Sequence, residues 1–378
     1  MSARTPQVEP SGGRLHAAPE GRRLRRIVLS GTAARRGEHH GAALADSIRR
    51  YAEERVGLAA DGSWSGAPAA REKVLRLADS MLPAHRAYAP DLTEELLAMA
   101  EASGISAAEA IIAGGFTDFV DTLRGLALPT LEEDDCTAAL VPNGRAGGAA
   151  FLAQTWDMHA SATEHVVMLD VRPERGPRTF VFSTSGCLGQ IGMNEAGICI
   201  GINNLSARQG RVGVTWPFVV RRALQEERIE DALSRVLDVE LAGAHNYLLL
   251  DRQGRGFNVE AMPAKKQVRE LGPEPLLHTN HCLEEQTRPY EAERPPLLLA
   301  SSHARLARAR ELLAEGPIDT ERLMELTRDA ESICQVSQPP HHMESSGAVI
   351  MRPARDELWA VWGRPSENAY ERFAFHER

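Results

Sequence analysis

At residue 136 the texture of the chain changes, and this change limits the fold more than any other feature. Downstream, five strand-length runs fall within about 70 residues: "CTAALV", "AAFLAQTWD", "HVVMLDVRP", "RTFVFSTS" and "QIGMNEAGICIGINNL". Asn-Gly, Gly-Gly and Arg-Gly-Pro part them, which is the pattern of an antiparallel meander. Upstream the period is helical. "ARRGEHHGAALADSIRRYAEERV" spaces Ala42, Ala43, Ile48 and Tyr51 along related faces, and two or more helices follow. Asp91 with Glu94 reads as a capping pair for the helix "DLTEELLAMAEAS", and Gly104 as its stop. A short strand, "RRIVLSG", precedes them.

After the meander, "WPFVVRRALQEERIEDALSRVLD" reads as a helix and "HNYLLLDRQGRGFNVEAM" as a hairpin turning at Asp-Arg-Gln-Gly. The helix "SSHARLARARELLAEG" and the strands in "GAVIMRPARDELWAVWG" finish the chain. Helices, then strands, then both again predict an α+β layered domain with antiparallel sheets rather than a doubly wound parallel one. Residues 1–24, aperiodic and rich in Pro and Gly, are expected to be a disordered tail.

Composition excludes several functions. A net charge of -9 argues against a nucleic-acid surface, and "RRLRR" at 22–26 is too short to reverse that. No stretch of 18 apolar residues and no apolar signal region occur, so a cytoplasmic protein without a membrane span is expected. Cys136, Cys187, Cys199, Cys282 and Cys334 form no C-x-x-C pair, which suggests neither a disulfide framework nor a zinc site.

Among these thiols, Cys199 in "GICIGI" and Cys334 in "ESICQV" read as packed core residues. Cys187 sits among glycines in "TSGCLGQIG", which lacks the ending of a phosphate loop. Cys282 adjoins His281, but adjacent residues on an extended chain point to opposite faces. The pairs His39-His40 and His341-His342 lack the further ligands a metal would need. Cys136 follows four acids, Glu132 to Asp135, and precedes a strand, unlike a papain-type cysteine at a helix start. It is either the first residue of a strand after a solvated acidic turn, or a nucleophile exposed by cutting the Asp135-Cys136 bond.

"VLSGTAARRGEHHGAALADSI", "LTEELLAMAEASGISAAEAI", "DDCTAAL", "LAQTWDMH", "GQIGMNEAGICIGINNL", "HNYLLLDRQGRGFNVEAMP", "HTNHCL" and "GAVIMRPARDELWAVWGRPSENAY" follow one another in a familiar order. Over roughly residues 25–375 the chain resembles the acyl-coenzyme A:isopenicillin N acyltransferase family of autoproteolytic N-terminal-nucleophile (Ntn) hydrolases and acyltransferases. That resemblance implies a four-layer αββα fold with two antiparallel sheets between helical layers. It also implies a precursor cut into a helical pro-segment, 25–135, and a catalytic segment, 136–378. The two would stay together as one compact domain and heterodimer.

Cys136 would then carry its own base, because a free α-amino group titrates at about 7.7 to 8.0. The resemblance makes Asp157 the residue that orients this amine, with Thr155 where the family often has Asn. Read from the residues alone, Asp157 merely ends a strand. Asn280 matches the family's oxyanion asparagine, Asn203 and Asn204 its pocket position or an ordinary strand-end turn, and Ser345 lies near its C-terminal hydroxyl motif. The junction here is Asp135-Cys136 instead of Gly-Cys, and the Asp135 carboxylate is expected to serve as a local base.

The substrate implied is a small acyl amide or acyl thioester, with water or an amine as acceptor. No metal or other cofactor is implied, and acyl-coenzyme A enters only as a candidate substrate. Two alternatives remain: a thiol hydrolase using Cys282 or Cys187 with a histidine, and an uncleaved Ntn-fold protein that binds its ligand without turnover.

Overall fold

The upstream segment gives the molecule one edge strand and a stack of helices. The computed structural model describes residues 23–124, 135–339 and 342–376. Strand β1 (Arg25–Gly31) leads into α1 (Ala33–Asp61), α2 (Arg71–Tyr88), α3 (Pro90–Ser103), α4 (Ala107–Gly114) and α5 (Phe116–Arg124). Helices α1 and α3 touch closely because Gly37 and Gly41 lack side chains. A Cβ at either would lie 2.2 Å from Glu95 O or 2.4 Å from Met99 O. The expected tail lies outside the described residues except at its end, where Leu24 is buried and donates its N–H to Glu371 Oε1.

The five expected strand runs follow as six strands, β2 (Ala138–Val141), β3 (Phe151–His159), β4 (Val166–Pro173), β5 (Thr179–Thr184), β6 (Ile191–Asn194) and β7 (Cys199–Leu205). They do not make one meander, since β2 and β3 lie in one sheet and β4 to β7 in the other. Next come α6 (Trp216–Ala223), α7 (Ile229–Asp238), β8 (Ala244–Leu250), β9 (Gly256–Ala261), β10 (Lys266–Glu270) and β11 (Leu276–His278). The chain ends with α8 (Pro296–Leu312), α9 (Thr320–Arg328), β12 (Met343–Arg352), β13 (Glu357–Trp362) and β14 (Glu371–Phe373).

These strands form an 8-stranded sheet, β1-β4-β5-β6-β7-β8-β9-β10, and a 6-stranded sheet, β11-β2-β3-β12-β13-β14. The sheets face each other: the Gln154 side chain on β3 accepts from Ile202 N on β7 at 2.8 Å and donates to its carbonyl. Helices α1, α6 and α7 pack on the larger sheet. On the smaller one, Ala139, Val141, Phe151, Ala153 and Ile350 meet Ala309, Leu323 and Leu326 of α8 and α9. The layering is therefore αββα, as the resemblance implies.

Three local expectations need correction. The larger sheet is not wholly antiparallel, since β1 pairs parallel to β4 with Ile27 opposite Leu169. No hairpin joins these two strands; the helices and two strands of the other sheet intervene, and such a crossover permits parallel pairing. Asp91 does not cap α3: Ala89 is the N-cap with Pro90 at N1, and the Asp91 carboxylate accepts from Gln225 instead. The reciprocal capping box lies one helix later, at Ser106 and Glu109. The stretch read as one helix over 216–238 is two, because Asn194 Nδ2 donates to the carbonyls of Leu224 and Glu226 and ends α6 there.

Candidate active site

Pairing of β2 with β3 continues upstream of the strand. Ala138 lies opposite Gln154, and an isolated bridge joins Asp135 to Asp157. Asp157 N donates to Asp135 O at 2.9 Å, and Asp135 N to Asp157 O at 3.3 Å. Alternation then puts Cys136 on the face of Ala138 and Gln154, toward the other sheet, and Asp135 with Thr137 on the opposite face, toward α8. The Cys136 N–H donates to Asn280 Oδ1 at 2.7 Å. Both peptide groups around the junction are thus held, and the junction is buried.

One residue that sequence reasoning missed organises this side. Arg305, on α8 and wholly buried, donates through Nη1 to Cys136 O (2.6 Å) and Thr137 Oγ1 (3.3 Å). Through Nη2 it donates to Asp135 Oδ1 (2.7 Å) and Asn280 Oδ1 (3.1 Å). Ser301, one turn earlier, donates to Asp135 Oδ2 at 3.1 Å, and Arg294 Nη2 stands 3.8 Å from Asp135 Oδ1. Asp135 is therefore part of a buried ion pair, not of a solvated turn. Its carboxylate is turned to Arg305 and Ser301 on the face away from the thiol, so the expected local-base role does not fit. Glu132, Glu133 and Asp134 lie outside the described residues.

Two donors, Cys136 N and Arg305 Nη2, meet Asn280 Oδ1, which fixes the orientation of that amide. Its Nδ2 donates to Asn204 O at 3.1 Å, using one of its two hydrogens. Asn204 thus contributes its backbone. Asn203 Oδ1 accepts from Asn246 Nδ2, which also donates to Asn258 Oδ1, a row of buried amides in which Asn246 and Asn258 were not foreseen.

The backbone of Asp157 faces the junction, while its carboxylate turns to hydroxyls. Ser345 donates to Oδ1 at 2.6 Å and Thr155 to Oδ2 at 3.3 Å; Thr155 Oγ1 in turn accepts from Thr137 N. Burial pushes the Asp157 carboxyl up to about 7, against the pull of the Arg305 cation and the Ser345 hydroxyl; the Asp135 carboxylate pushes with burial. Between roughly pH 4 and 7 the folded chain holds a proton here that the unfolded chain has lost, so this group's contribution to stability falls as pH rises, then levels off. The slope approaches about 1.4 kcal/mol per pH unit for one group. In a Cys136→Ala background, Asp157→Asn is expected to remove that slope. Urea midpoints of the two proteins should diverge from pH 4 to 7 in favour of the Asn variant; a pH-independent difference contradicts the assignment.

The rival thiols sit badly for nucleophilic work. Cys187 Sγ donates to Gly189 O at 3.2 Å, and burial raises it to about 11. Cys282 is pushed far upward by burial and by the nearby Glu291 and Glu260 carboxylates. His278 lies with Nε2 3.0 Å from Glu260 Oε1 and Nδ1 2.7 Å from Thr279 O. His281 Nδ1 meets Ser302 Oγ at 2.7 Å, and burial, then the neighbouring His303, lowers it to about 3. Both His278 nitrogens and Nδ1 of His281 thus have partners other than a thiol.

The chain is similar to several known proteins. A model of the family described as acyl-coenzyme A:6-aminopenicillanic acid acyl-transferase matches residues 144–367, a span that contains Asp157, Asn280, Arg305 and Ser345 and begins just after Cys136. The acyl-coenzyme A:6-aminopenicillanic-acid-acyltransferase 40 kDa form of Emericella nidulans is 24% identical over 262 residues, 68% of this chain and 69% of that protein. Among solved structures, an N-acylethanolamine-hydrolyzing acid amidase ortholog from Caenorhabditis elegans aligns with TM-score 0.43 and 11% identity, over 58% of this chain and 93% of that one. Penicillin V acylase from Agrobacterium tumefaciens aligns with TM-score 0.42 and 12% identity, over 64% and 86%. The family model covers more than half of the sequence, and the chain belongs to the acyl-coenzyme A:6-aminopenicillanic acid acyl-transferase family of enzymes.

Proposed function

We propose that the protein cuts itself between Asp135 and Cys136 and then works as a thiol acyltransferase or amidohydrolase on acyl amides or thioesters. The observation that carries this reading is the held junction: Asp135 O against Asp157 N at 2.9 Å, and Cys136 N against Asn280 Oδ1 at 2.7 Å. In maturation, Cys136 Sγ attacks the carbonyl carbon of Asp135. The S–C bond forms, the C–N bond breaks, and the thiol proton ends on the freed amine. Water then adds its oxygen to that carbon and returns a proton to sulfur, leaving a carboxyl at residue 135. The Asp157 N–H is placed to donate to the carbonyl oxygen while it carries charge.

In turnover the same bonds are exchanged with a substrate. The α-amino group of Cys136, with an ordinary pKa of about 7.7 to 8.0, takes the thiol proton and passes it to the leaving group. Asn280 Oδ1 holds that amine. The name of the Emericella nidulans relative supports an acyl thioester as donor and an amine as acceptor. Five cysteines with no C-x-x-C pair among them support a reducing compartment such as the cytoplasm.

Replacing His278, His281 or His303 by Gln, one at a time, tests the base. Each variant is expected to keep single-turnover acylation within a few-fold, since none handles the proton. A thiol-histidine dyad instead loses about 100 to 10,000-fold with its histidine. Labelling with a thiol-reactive acyl analogue should modify a peptide that begins at Cys136; label confined to Cys187 or Cys282 overturns the reading.

A further inference from the structure

The buried cation at the junction has a partner that maturation cuts loose. Arg305 is wholly buried, and its closest carboxylate contact is Asp135 Oδ1 at 2.7 Å. Ser301 closes on the other carboxylate oxygen at 3.1 Å, and Arg294, also buried, adds a second positive charge 3.8 Å away. The nearby Asp157 feels the Arg305 charge too, but its oxygens are given to Ser345 and Thr155. Cutting the Asp135-Cys136 bond frees residue 135 to withdraw while the rest of the upstream chain stays in place, and the Arg305 guanidinium and the Ser301 hydroxyl, with the Arg294 charge beside them, then face the vacated space. A buried charge stripped of its partner is costly, and a carboxylate of similar placement restores the balance.

Residue 135 is also the acyl part of the first amide that the thiol attacks under the maturation proposed above. Its carboxylate is separated from the scissile carbonyl by Cα and Cβ alone. Resting on that reading, we propose that Arg305, Arg294 and Ser301 form a carboxylate subsite and that the preferred acyl donor carries a carboxylate at the same spacing, an aspartyl- or succinyl-type acyl group. Asp135 holds this subsite in the precursor. Arg305 would meet one carboxylate oxygen of such a donor and Ser301 the other, as they do in Asp135, contacts that a neutral acyl chain cannot reproduce.

The test uses the processed wild-type protein, with intact mass confirming two chains before assay. Succinyl p-nitroanilide and its uncharged methyl ester are compared by kcat/KM for release of p-nitroaniline. The expected preference is roughly 100-fold or more for the free carboxylate, as for a buried ion pair denied one partner. Ser301→Ala and Arg294→Gln are expected to shrink that ratio several-fold by lowering the value for the acid more than that for the ester; a purely structural defect lowers both alike. As a second measurement, free succinate should slow alkylation of Cys136 by iodoacetamide at concentrations where butyramide does not. Equal use of acid and ester by a processed, active enzyme overturns the subsite and leaves the thiol mechanism standing, and so does a lack of succinate protection where neither anilide turns over. A chain that stays uncut overturns both.

Discussion

Cys136→Ala is expected to remain one chain of 378 residues while the wild-type protein resolves into chains of 135 and 243 residues. No other substitution is expected to change the molecule as much, because it removes the only atom in the proposed mechanism that attacks the Asp135 carbonyl. The wild-type chains should co-elute under native conditions. β1 pairs with β4 from Arg25 opposite Val167 to Gly31 opposite Pro173, so the upstream chain is an integral edge of the larger sheet. Asp121 Oδ2 on α5 accepts from Ala207 N and Ala244 N, and Asp118 Oδ2 from Trp216 N. The buried Glu95 on α3 is shared between Arg36 upstream and Arg221 downstream. Separating the chains would strand these groups and expose a common apolar core. Intact mass and native size exclusion read both outcomes. A cut at 135/136 in the Ala variant would assign cleavage to an external protease, and an uncut wild-type chain would favour the ligand-binding alternative.

What the sequence disclosed depended on whether a signal was local. The strand runs were legible because β3 to β7 are strongly apolar and ended by Gly, Asn and Pro, which decide conformation within a few residues; the change of sheet between β3 and β4 and the break between β6 and β7 were not. Three short strands were not legible. β11 is only Leu276–His278, β14 only Glu371–Phe373, and β10 is a polar, half-exposed edge, "KQVRE". Each exists because a neighbour offers it hydrogen bonds, which no local pattern records. The split of 216–238 into two helices likewise depends on Asn194, more than 20 residues away in sequence.

The site shows the same division. Cys136, Asp157, Asn280 and Ser345 could be collected from motif order. Arg305 could not, because in "SSHARLARAREL" three arginines look alike. The helix period does separate them: Ser302, Arg305, Leu306 and Ala309 form the buried stripe of α8. A stripe with an arginine in it reads as an error in the pattern until Asp135 is found opposite. The acids before Cys136 misled for the related reason that a charge run usually marks a solvated face. Asp135 is buried only because α8 brings it a cation from 170 residues further along the chain.

Asn280→Ala is expected to lower kcat/KM by about 100 to 1,000-fold in protein that is still processed, the usual loss for an oxyanion donor. Processing itself should slow, because the substitution leaves the Cys136 N–H and one Arg305 N–H without their acceptor in a buried place. Two roles are open to this amide, one at each end. Oδ1 holds the amine, and the hydrogen of Nδ2 not used by Asn204 O is free to meet the oxyanion. Asn280→Asp separates them, since it keeps acceptors for Cys136 N and Arg305 but replaces the donor with a second oxygen. If the donor end carries the rate, Asp is as poor as Ala, because a carboxylate repels a developing oxyanion. That is the expected result. If the acceptor end carries it, the Asp variant keeps most of its rate, and the added negative charge holds the proton on the Cys136 amine more tightly. The acid limb of the kcat/KM profile would then move to higher pH. A single pair of pH profiles therefore shows which end of Asn280 works on the reacting atoms and which end holds the nucleophile in place.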